Sequence, residues 1–339
     1  TNTAAGSLAA RRSPVSSPEP LSTTTTSATP SARRLATQAT VSAAEADRYA
    51  ARCHDALAAL AAVYAPLPPH PALETDKLGA IPRANLSVKV SALTPLLRPE
   101  APELGERDAA PRLRALLRQA RDLGAHLHVD MESFDSREAV IELVLSLLAE
   151  EEFRDGPSAG IVVQAYLRDS PELCERVLSW ARASGRTQPL VVRLVKGAYW
   201  DHEVVDARQH GWPAPVFEEK AESDRNFERL TVELIAARQY VRPAIASHNL
   251  RSIAHAIVAG RRLGADARDI EFQVLRGLGD DLQQALVALE QRVRTYCPIG
   301  DLVAGMAYLV RRLLENTSNE SFLAEQARGR ALEELMAAP

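Results

Sequence analysis

Residues 307–316 read AYLVRRLLEN, a helical run that is apolar over most of its surface yet carries two adjacent arginines. At about 100° per residue, Tyr308, Arg311, Arg312 and Glu315 share one stripe roughly a third of the helix wide. Leu309, Val310, Leu313 and Leu314 cover the remainder and call for burial. A solvated face is the plain reading of such a stripe. Two guanidiniums beside a tyrosine on an otherwise greasy helix read instead as a fork for a carboxylate or phosphate. The helix is expected to act as a lid that offers cations to an anion.

The rest of the chain has to build the other wall of that site. Short β-rich runs alternate with longer helical patterns: LSVKVSAL (86–93), HLHVDMES (126–133), AGIVVQAYL (159–167), LVVRLVKGA (190–198), PAIASHN (243–249), IEFQVLRG (270–277) and VRTYCPIG (293–300). Between them lie helices such as SREAVIELVLSLLAEEEF and SPELCERVLSWARAS, each opening on a Ser N-cap signal. Strand–helix alternation implies a parallel sheet, either doubly wound or closed into a barrel. Seven strands are legible and an eighth is not, so closure is an inference.

Ahead of the alternation, residues 1–36 are rich in Ser, Thr, Pro and Ala and should form a disordered tail. Four arginines and one acid make that tail weakly similar to a transit peptide, but its prolines favour a plain linker. Residues 37–78 hold a helix at about 42–65 and a Pro-rich connector, 79–325 the barrel, and 326–339 a C-terminal helical tail. The chain opens at Thr1, which suggests that it is processed or excised from something longer.

Composition narrows the function. With 339 residues, 46% hydrophobic and 25% charged, the chain can bury one large core. A net charge of −4 gives no basic stripe for nucleic acid. Cys53, Cys174 and Cys297 are odd in number and lack metal spacing, which fits a reducing compartment and the cytoplasm. No apolar run reaches the length of a membrane span.

Polar residues gather toward the strand ends: Lys89, Asp130, Gln164, Arg193 with Lys196, Ser247-His248-Asn249, Gln273 and Tyr296. In parallel β/α folds the carboxyl rim of the sheet is where ligands bind. No G-x-G-x-x-G or Walker sequence follows a strand, so neither a Rossmann nor a P-loop site is indicated. VKGAYW (195–200) offers a lysine, a glycine for close backbone approach and two aromatics, a set suited to a diphosphate and a flat ring. Other readings compete. HLHVD with Lys196 and His248 is similar to an amidohydrolase metal set, although His126 and His128 lie at the start and middle of their strand rather than at the rim. A Schiff-base aldolase could use Lys89 or Lys196, and a non-enzymatic binding barrel would need only the fold.

Taken together, SVKVSAL, VDMES, RLVKGAYWD, SHN, EFQVLRG, YCPIG and YLVRRLLEN make about residues 84–322 resemble the proline dehydrogenase family, found alone or within proline utilization A. The resemblance implies an α/β fold, a distorted (β/α)8 TIM-type barrel with its last helix over the mouth. It implies FAD as cofactor and L-proline as substrate, oxidised at C5 to Δ1-pyrroline-5-carboxylate. Arg311 and Arg312 would then bind the proline carboxylate with help from Lys89. Tyr199, Leu275, Tyr296 and Tyr308 would surround the pyrrolidine ring, and Glu315 and Asp130 would balance the cations. Asp130 and Arg193 would stand nearest the chemistry. FAD would be held by Met131, Gln164, Arg193, Lys196, Gly197, Ala198, Trp200, Ser247 and His248, with Asn249 and Gln273 beside them. No metal is implied.

Two departures from the family pattern are legible. SHN has Ser where many relatives have Thr, which keeps the hydroxyl. Tyr296 is retained where relatives favouring 4-hydroxyproline are expected to carry something smaller, which favours proline. A quinone or another acceptor would reoxidise the flavin, with peripheral contact at an inner membrane, or the mitochondrial matrix, as further expectations. The residues after Phe322 are too few for the aldehyde dehydrogenase half of the bifunctional relatives. The chain is therefore expected to be monofunctional or a domain of a larger enzyme, working beside a pyrroline-5-carboxylate dehydrogenase.

Overall fold

The computed structural model describes residues 40–299, 329 and 331–339. The expected disordered tail and the arginine helix with Tyr308, Arg311, Arg312 and Glu315 lie outside the described residues.

The first helix, α1 (Ala43–Tyr64), starts where Ser42 accepts a hydrogen bond from Glu45 N, while the Glu45 carboxylate accepts from Val41 N at 2.9 Å. These two bonds satisfy amides that a helix start otherwise leaves orphaned. Ala46, Tyr49, Ala50, Cys53 and Leu57 recur at helical spacing and are buried, so α1 covers one side of the core. A short antiparallel hairpin (Thr75–Asp76 and Gly79–Ala80) follows the Pro-rich connector.

Seven parallel strands then pair strictly in chain order: β1 (Asn85–Lys89), β2 (His126–Asp130), β3 (Ser158–Gln164), β4 (Leu190–Val195), β5 (Val241–Ala246), β6 (Glu271–Leu275) and β7 (Arg292–Tyr296). The longer helices between them are α2 (Pro102–Asp122), α3 (Phe134–Leu148), α4 (Ser170–Ala183), α5 (Trp200–His210), α6 (Lys220–Ala236), α7 (Leu250–Arg262) and α8 (Asp280–Ala288). Consecutive order without reversal excludes a doubly wound sheet and is that of a TIM-type barrel. Bonds across the interior show the curl directly. Arg193 on β4 reaches Ser87 on β1, and Tyr296 on β7 reaches Asp130 on β2. The seven strands read from the sequence are all present, and no eighth occurs among the described residues.

Period-two alternation divides each strand. Leu86, Val88, Leu127, Val129, Ile161, Val163, Val192, Leu194, Ile245, Phe272 and Val274 point outward, buried against the helices. Fully burying a side chain of this kind contributes about 1.5–3 kcal/mol. The inward face carries the polar side chains, namely Ser87 and Lys89, His126, His128 and Asp130, Gln164, Arg193, Glu271 and Gln273, Arg294 and Tyr296, with the small or apolar Gly160, Val162, Val191, Val195, Ala244 and Ala246 between them.

The strands end earlier than their apolar runs suggested. LSVKVSAL leaves the sheet at Lys89 and turns through Val90–Ala92, and LVVRLVKGA stops at Val195. Gly197 has φ of +139°, which no strand residue can adopt. The two helix caps also differ from expectation. Ser133, not Ser136, precedes α3, and Ser170 is the first residue of α4, its hydroxyl donating back to Leu167 O at 2.8 Å. α3 has already begun by Ser136 and α4 begins at Ser170 itself, so each serine hydroxyl closes a turn, onto Ser133 O and Leu167 O, instead of capping the end.

Candidate functional site

Lys89, Asp130, Gln164, Leu275 and Tyr296 are each the last residue of a strand. Lys196 and the run Ser247–Asn249 begin the loops after β4 and β5. The sheet therefore delivers these side chains to one carboxyl rim. Arg193 and Gln273 sit lower, inside the barrel, and the rim stands on them.

Arg193 is the hub. Its Nη1 donates to Asp130 Oδ1 at 2.6 Å, its Nη2 to Ser87 Oγ at 3.1 Å and its Nε to Gln273 Oε1 at 2.7 Å. Three strands thus hold one guanidinium. The Asp130 contact is a charge-assisted pair whose side chains are 17% and 8% exposed, so little water screens it. Tyr296 donates its hydroxyl to Asp130 Oδ2 at 3.2 Å, and the Arg193 guanidinium lies 5.6 Å from its ring centroid.

Beside this group, Lys89 Nζ donates to Glu132 at 2.9 Å, and Ser91 Oγ donates to the other Glu132 oxygen. Burial works against the Lys89 charge, but Glu132, with Tyr199 and Asp130 beyond it, outweighs that and raises its pKa. Lys89 is therefore a protonated cation at the rim. A Schiff base would need it deprotonated in an apolar pocket, which this is not. Lys196 has the opposite balance. Burial lowers its pKa against the pull of Asp224, which binds both Lys196 and Lys220.

The positions assigned to a flavin are drawn together around the same rim. Gln164 donates Nε2 to Glu132 O at 3.0 Å, while its Oε1 is buried without a partner among the described residues. An orphaned buried amide oxygen suits a ligand N–H such as an isoalloxazine presents. Gly197 lies flat over the Tyr166 ring: a Cβ there would come within 2.4 Å of ring carbons. Only glycine lets the 196–198 turn pack on that ring at a φ of +139°, so this residue fixes the shape of the loop at the rim. Met131 is buried next to Asp130, and Trp200 begins α5 with its indole N–H on Phe217 O at 2.9 Å. His248 Nε2 accepts from Leu275 N at 3.0 Å, which places the ring proton on Nδ1 when the ring is neutral. Ser247 Oγ accepts from Asn249 N, and Asn249 Oδ1 caps α7 by accepting from Ser252 N at 3.2 Å. Asn249 thus serves the helix start, and Gln273 serves Arg193. The unpartnered Gln164 Oε1 is the feature that fits a flavin adenine dinucleotide, while Lys196, Trp200, Ser247, Asn249 and Gln273 each bond a protein group.

The metal-site reading fares differently. His126 bonds Ser158 Oγ at 2.8 Å and its other ring nitrogen lies 3.1 Å from His128 Nδ1, both deep in the barrel. Burial drives the His126 pKa down to about 3 and that of His128 well below its ordinary value. Lys196 is held by Asp224 and His248 by a backbone amide, and among the described residues no group of three or more His, Cys, Asp or Glu is placed to hold a metal ion.

Several site residues carried no role in the sequence reading. Glu132 stood in the quoted VDMES run, two residues after Asp130 and on the same side. Ser87 and Glu271 lie two before Lys89 and Gln273, so strand periodicity could have found both. Asp224 sits on α6, and no local signal marks it.

Residues 25–325 match a family described as proline dehydrogenase. The chain is 36% identical over 244 residues to the bifunctional protein PutA of Rhizobium meliloti, covering 70% of this chain and 19% of that protein. It is 30% identical over 226 residues to a proline dehydrogenase of Deinococcus radiodurans, covering 66% of this chain and 64% of the relative. Among solved structures, that of proline utilization A from Bdellovibrio bacteriovorus inactivated by N-propargylglycine matches with a TM-score of 0.86 and 38% identity. That match covers 89% of this chain and 32% of the other. The chain spans about a fifth of the length of the bifunctional relatives it matches.

Proposed function

The chain belongs to the proline dehydrogenase family, and from that premise we propose that it oxidises L-proline to Δ1-pyrroline-5-carboxylate with FAD as its resident cofactor. The observation that carries the reading is the rim cluster, in which Arg193, Asp130 and Tyr296 bond one another beside the Lys89–Glu132 pair. FAD, when bound, supplies at N5 the acceptor for the hydride leaving proline C5. Gln164, Lys196, Gly197, Ala198, Trp200, Ser247 and His248 would hold it, with Met131, Asn249 and Gln273 alongside. Arg193, fixed from three strands, would place positive charge toward the ring system.

On the substrate side, Arg311 and Arg312 would grip the carboxylate and Lys89 would add a third cation. Tyr199, Leu275, Tyr296 and Tyr308 would enclose the ring, and Glu315 with Asp130 would keep the cations from standing uncompensated. Cations around the bound amino acid favour the neutral amine, which is the form able to release a hydride. A quinone or another acceptor would take the electrons onward, and a pyrroline-5-carboxylate dehydrogenase would use the hydrolysed product. Among the described residues no helix is long and apolar enough to cross a membrane.

The test is proline-dependent reduction of an artificial acceptor, followed at the flavin absorbance bands. Purified protein that is yellow and bleaches with proline supports the reading, and colourless protein that takes up no FAD ends it. Arg311→Ala or Arg312→Ala should raise KM for proline at least tenfold while FAD stays bound, in line with the loss of a charge-assisted bond worth about 1.5–3 kcal/mol. An unchanged KM in both variants would contradict the carboxylate role.

A further inference from the structure

Below the rim, Glu271 has no part in holding either ligand, yet it is wired to the hub of the site. Its Oε1 accepts from Gln273 Nε2 at 2.7 Å, and Gln273 Oε1 accepts from Arg193 Nε at 2.7 Å. Arg294 Nε clamps the same carboxylate at 3.0 and 3.1 Å. Glu271 is 11% exposed; burial disfavours its charge, but Arg294 and the Gln273 bond outweigh that and hold its pKa below the usual range.

The polarity of the Gln273 amide is forced. A guanidinium only donates and a carboxylate only accepts, so the amide can sit between them one way round. Turned over, it would set N–H against N–H and oxygen against oxygen. The neighbouring strand offers no rival partner, since Ala244 and Ala246 pair with Glu271 and Gln273 in the sheet. An ion pair buried here contributes little stability over an apolar pair of the same volume, which leaves orientation as its use.

We propose that Glu271 is a positioning residue for proline oxidation: through the Gln273 amide it locks the Nε edge of Arg193, so that the Nη edge stays turned to Asp130 and the rim. This rests on the reading of Arg193 as the flavin-facing cation. Replacing the carboxylate by an amide breaks the arrangement. Glu271→Gln brings two N–H groups into a ring of donors formed by Gln273 and Arg294 and leaves one oxygen to serve both. Gln273 is then released to turn, and the Arg193 guanidinium loses one of its three anchors.

The experiment uses the full chain with Arg Nε-labelled nitrogen, the Arg193 resonance being assigned by loss in Arg193→Lys. In Glu271→Gln the Arg193 Nε–H signal, read without FAD, should lose its hydrogen-bonded shift. With FAD, kcat should fall about tenfold while KM for proline moves less than about twofold, as misorientation of a group near the chemistry predicts. The double variant Glu271→Gln/Gln273→Glu keeps every donor matched to an acceptor. It should restore the Arg193 Nε–H shift, read without FAD so that the place of Gln273 beside the flavin does not enter. An unmoved resonance with unchanged kcat in the single variant overturns the proposal. So does a double variant whose Arg193 Nε–H shift is no closer to the parent than the single variant's, and where the single variant does not fold, that shift in the double variant alone decides. Parent protein that binds no flavin or leaves proline unoxidised would refute the functional reading separately, because the resonance is read without cofactor.

Discussion

Asp76→Ala removes the carboxylate that closes the floor of the barrel, and the structure gives the size of the effect. Asp76 comes from the short hairpin and is 5% exposed. It accepts from Arg242 Nε at 2.8 Å and Nη2 at 2.9 Å, and from Leu78 N at 2.8 Å, with Arg292 Nη1 at 3.6 Å. Arg242 and Arg292 are 7% and 5% exposed. After the change each keeps one carbonyl partner, Gly79 O and Thr75 O, and loses its ion pair, with Glu271 acting on Arg292 only from beyond contact. The buried Arg242 guanidinium would stand without its acid and Arg292 would lose the nearer of its two, and breaking such a pair from one side costs about 3–5 kcal/mol. With an unfolding entropy of about 2.1 cal/mol/K per residue over the roughly 260 residues from 40 to 299, that lowers Tm by about 5–9 °C. Calorimetry on the full chain at neutral pH reads this directly. Activity measured well below Tm should change less than about twofold, because the floor lies at the opposite end of the strands from the rim. A Tm loss under about 2 °C would refute the reasoning, since it would mean the pair behaves as an exposed one.

Three further outcomes are expected. Stability should fall with acid through the ordinary histidine range. His126 is held neutral with a pKa of about 3 and His128 well below its usual value, so the unfolded chain binds more protons between about pH 3 and 6.5. Lowering the pH from 7.5 to 5.5 should therefore remove up to about 3 kcal/mol of unfolding free energy, read by urea denaturation, and replacing both histidines by Gln should flatten that slope. Gly197→Ala meets both a φ of +139° and the Tyr166 ring, so titration of the purified protein should show FAD binding weakened about 10- to 100-fold. Tyr296→Ser deletes both a ring and the hydroxyl on Asp130, and kcat/KM for proline should drop about tenfold or more while the ratio for 4-hydroxyproline over proline rises; an unmoved ratio would count against the ring contact.

The sequence by itself determined the seven strands, their parallel alternation with helices, and the rim on which Lys89, Asp130, Gln164 and Tyr296 end. Each of these is a local signal: a run of β-branched residues, a period of two, a polar group where the run stops. It also carried the motifs by which the family could be recognised. Only the tertiary structure decided who bonds whom. Arg193 meets Ser87, Asp130 and Gln273 from three other strands because the sheet curls, and curl is a property of all the strands together. Glu132 becomes the partner of Lys89, and Asp224 that of Lys196, by the same closure across tens of residues. Strand ends fell short of their apolar runs because burial continues into a loop packed under helices, where hydrophobicity alone cannot tell strand from turn. The barrel's polar interior likewise follows from an inward face too crowded with ionic side chains to be left unpaired, and pairing is settled by distance in space rather than along the chain.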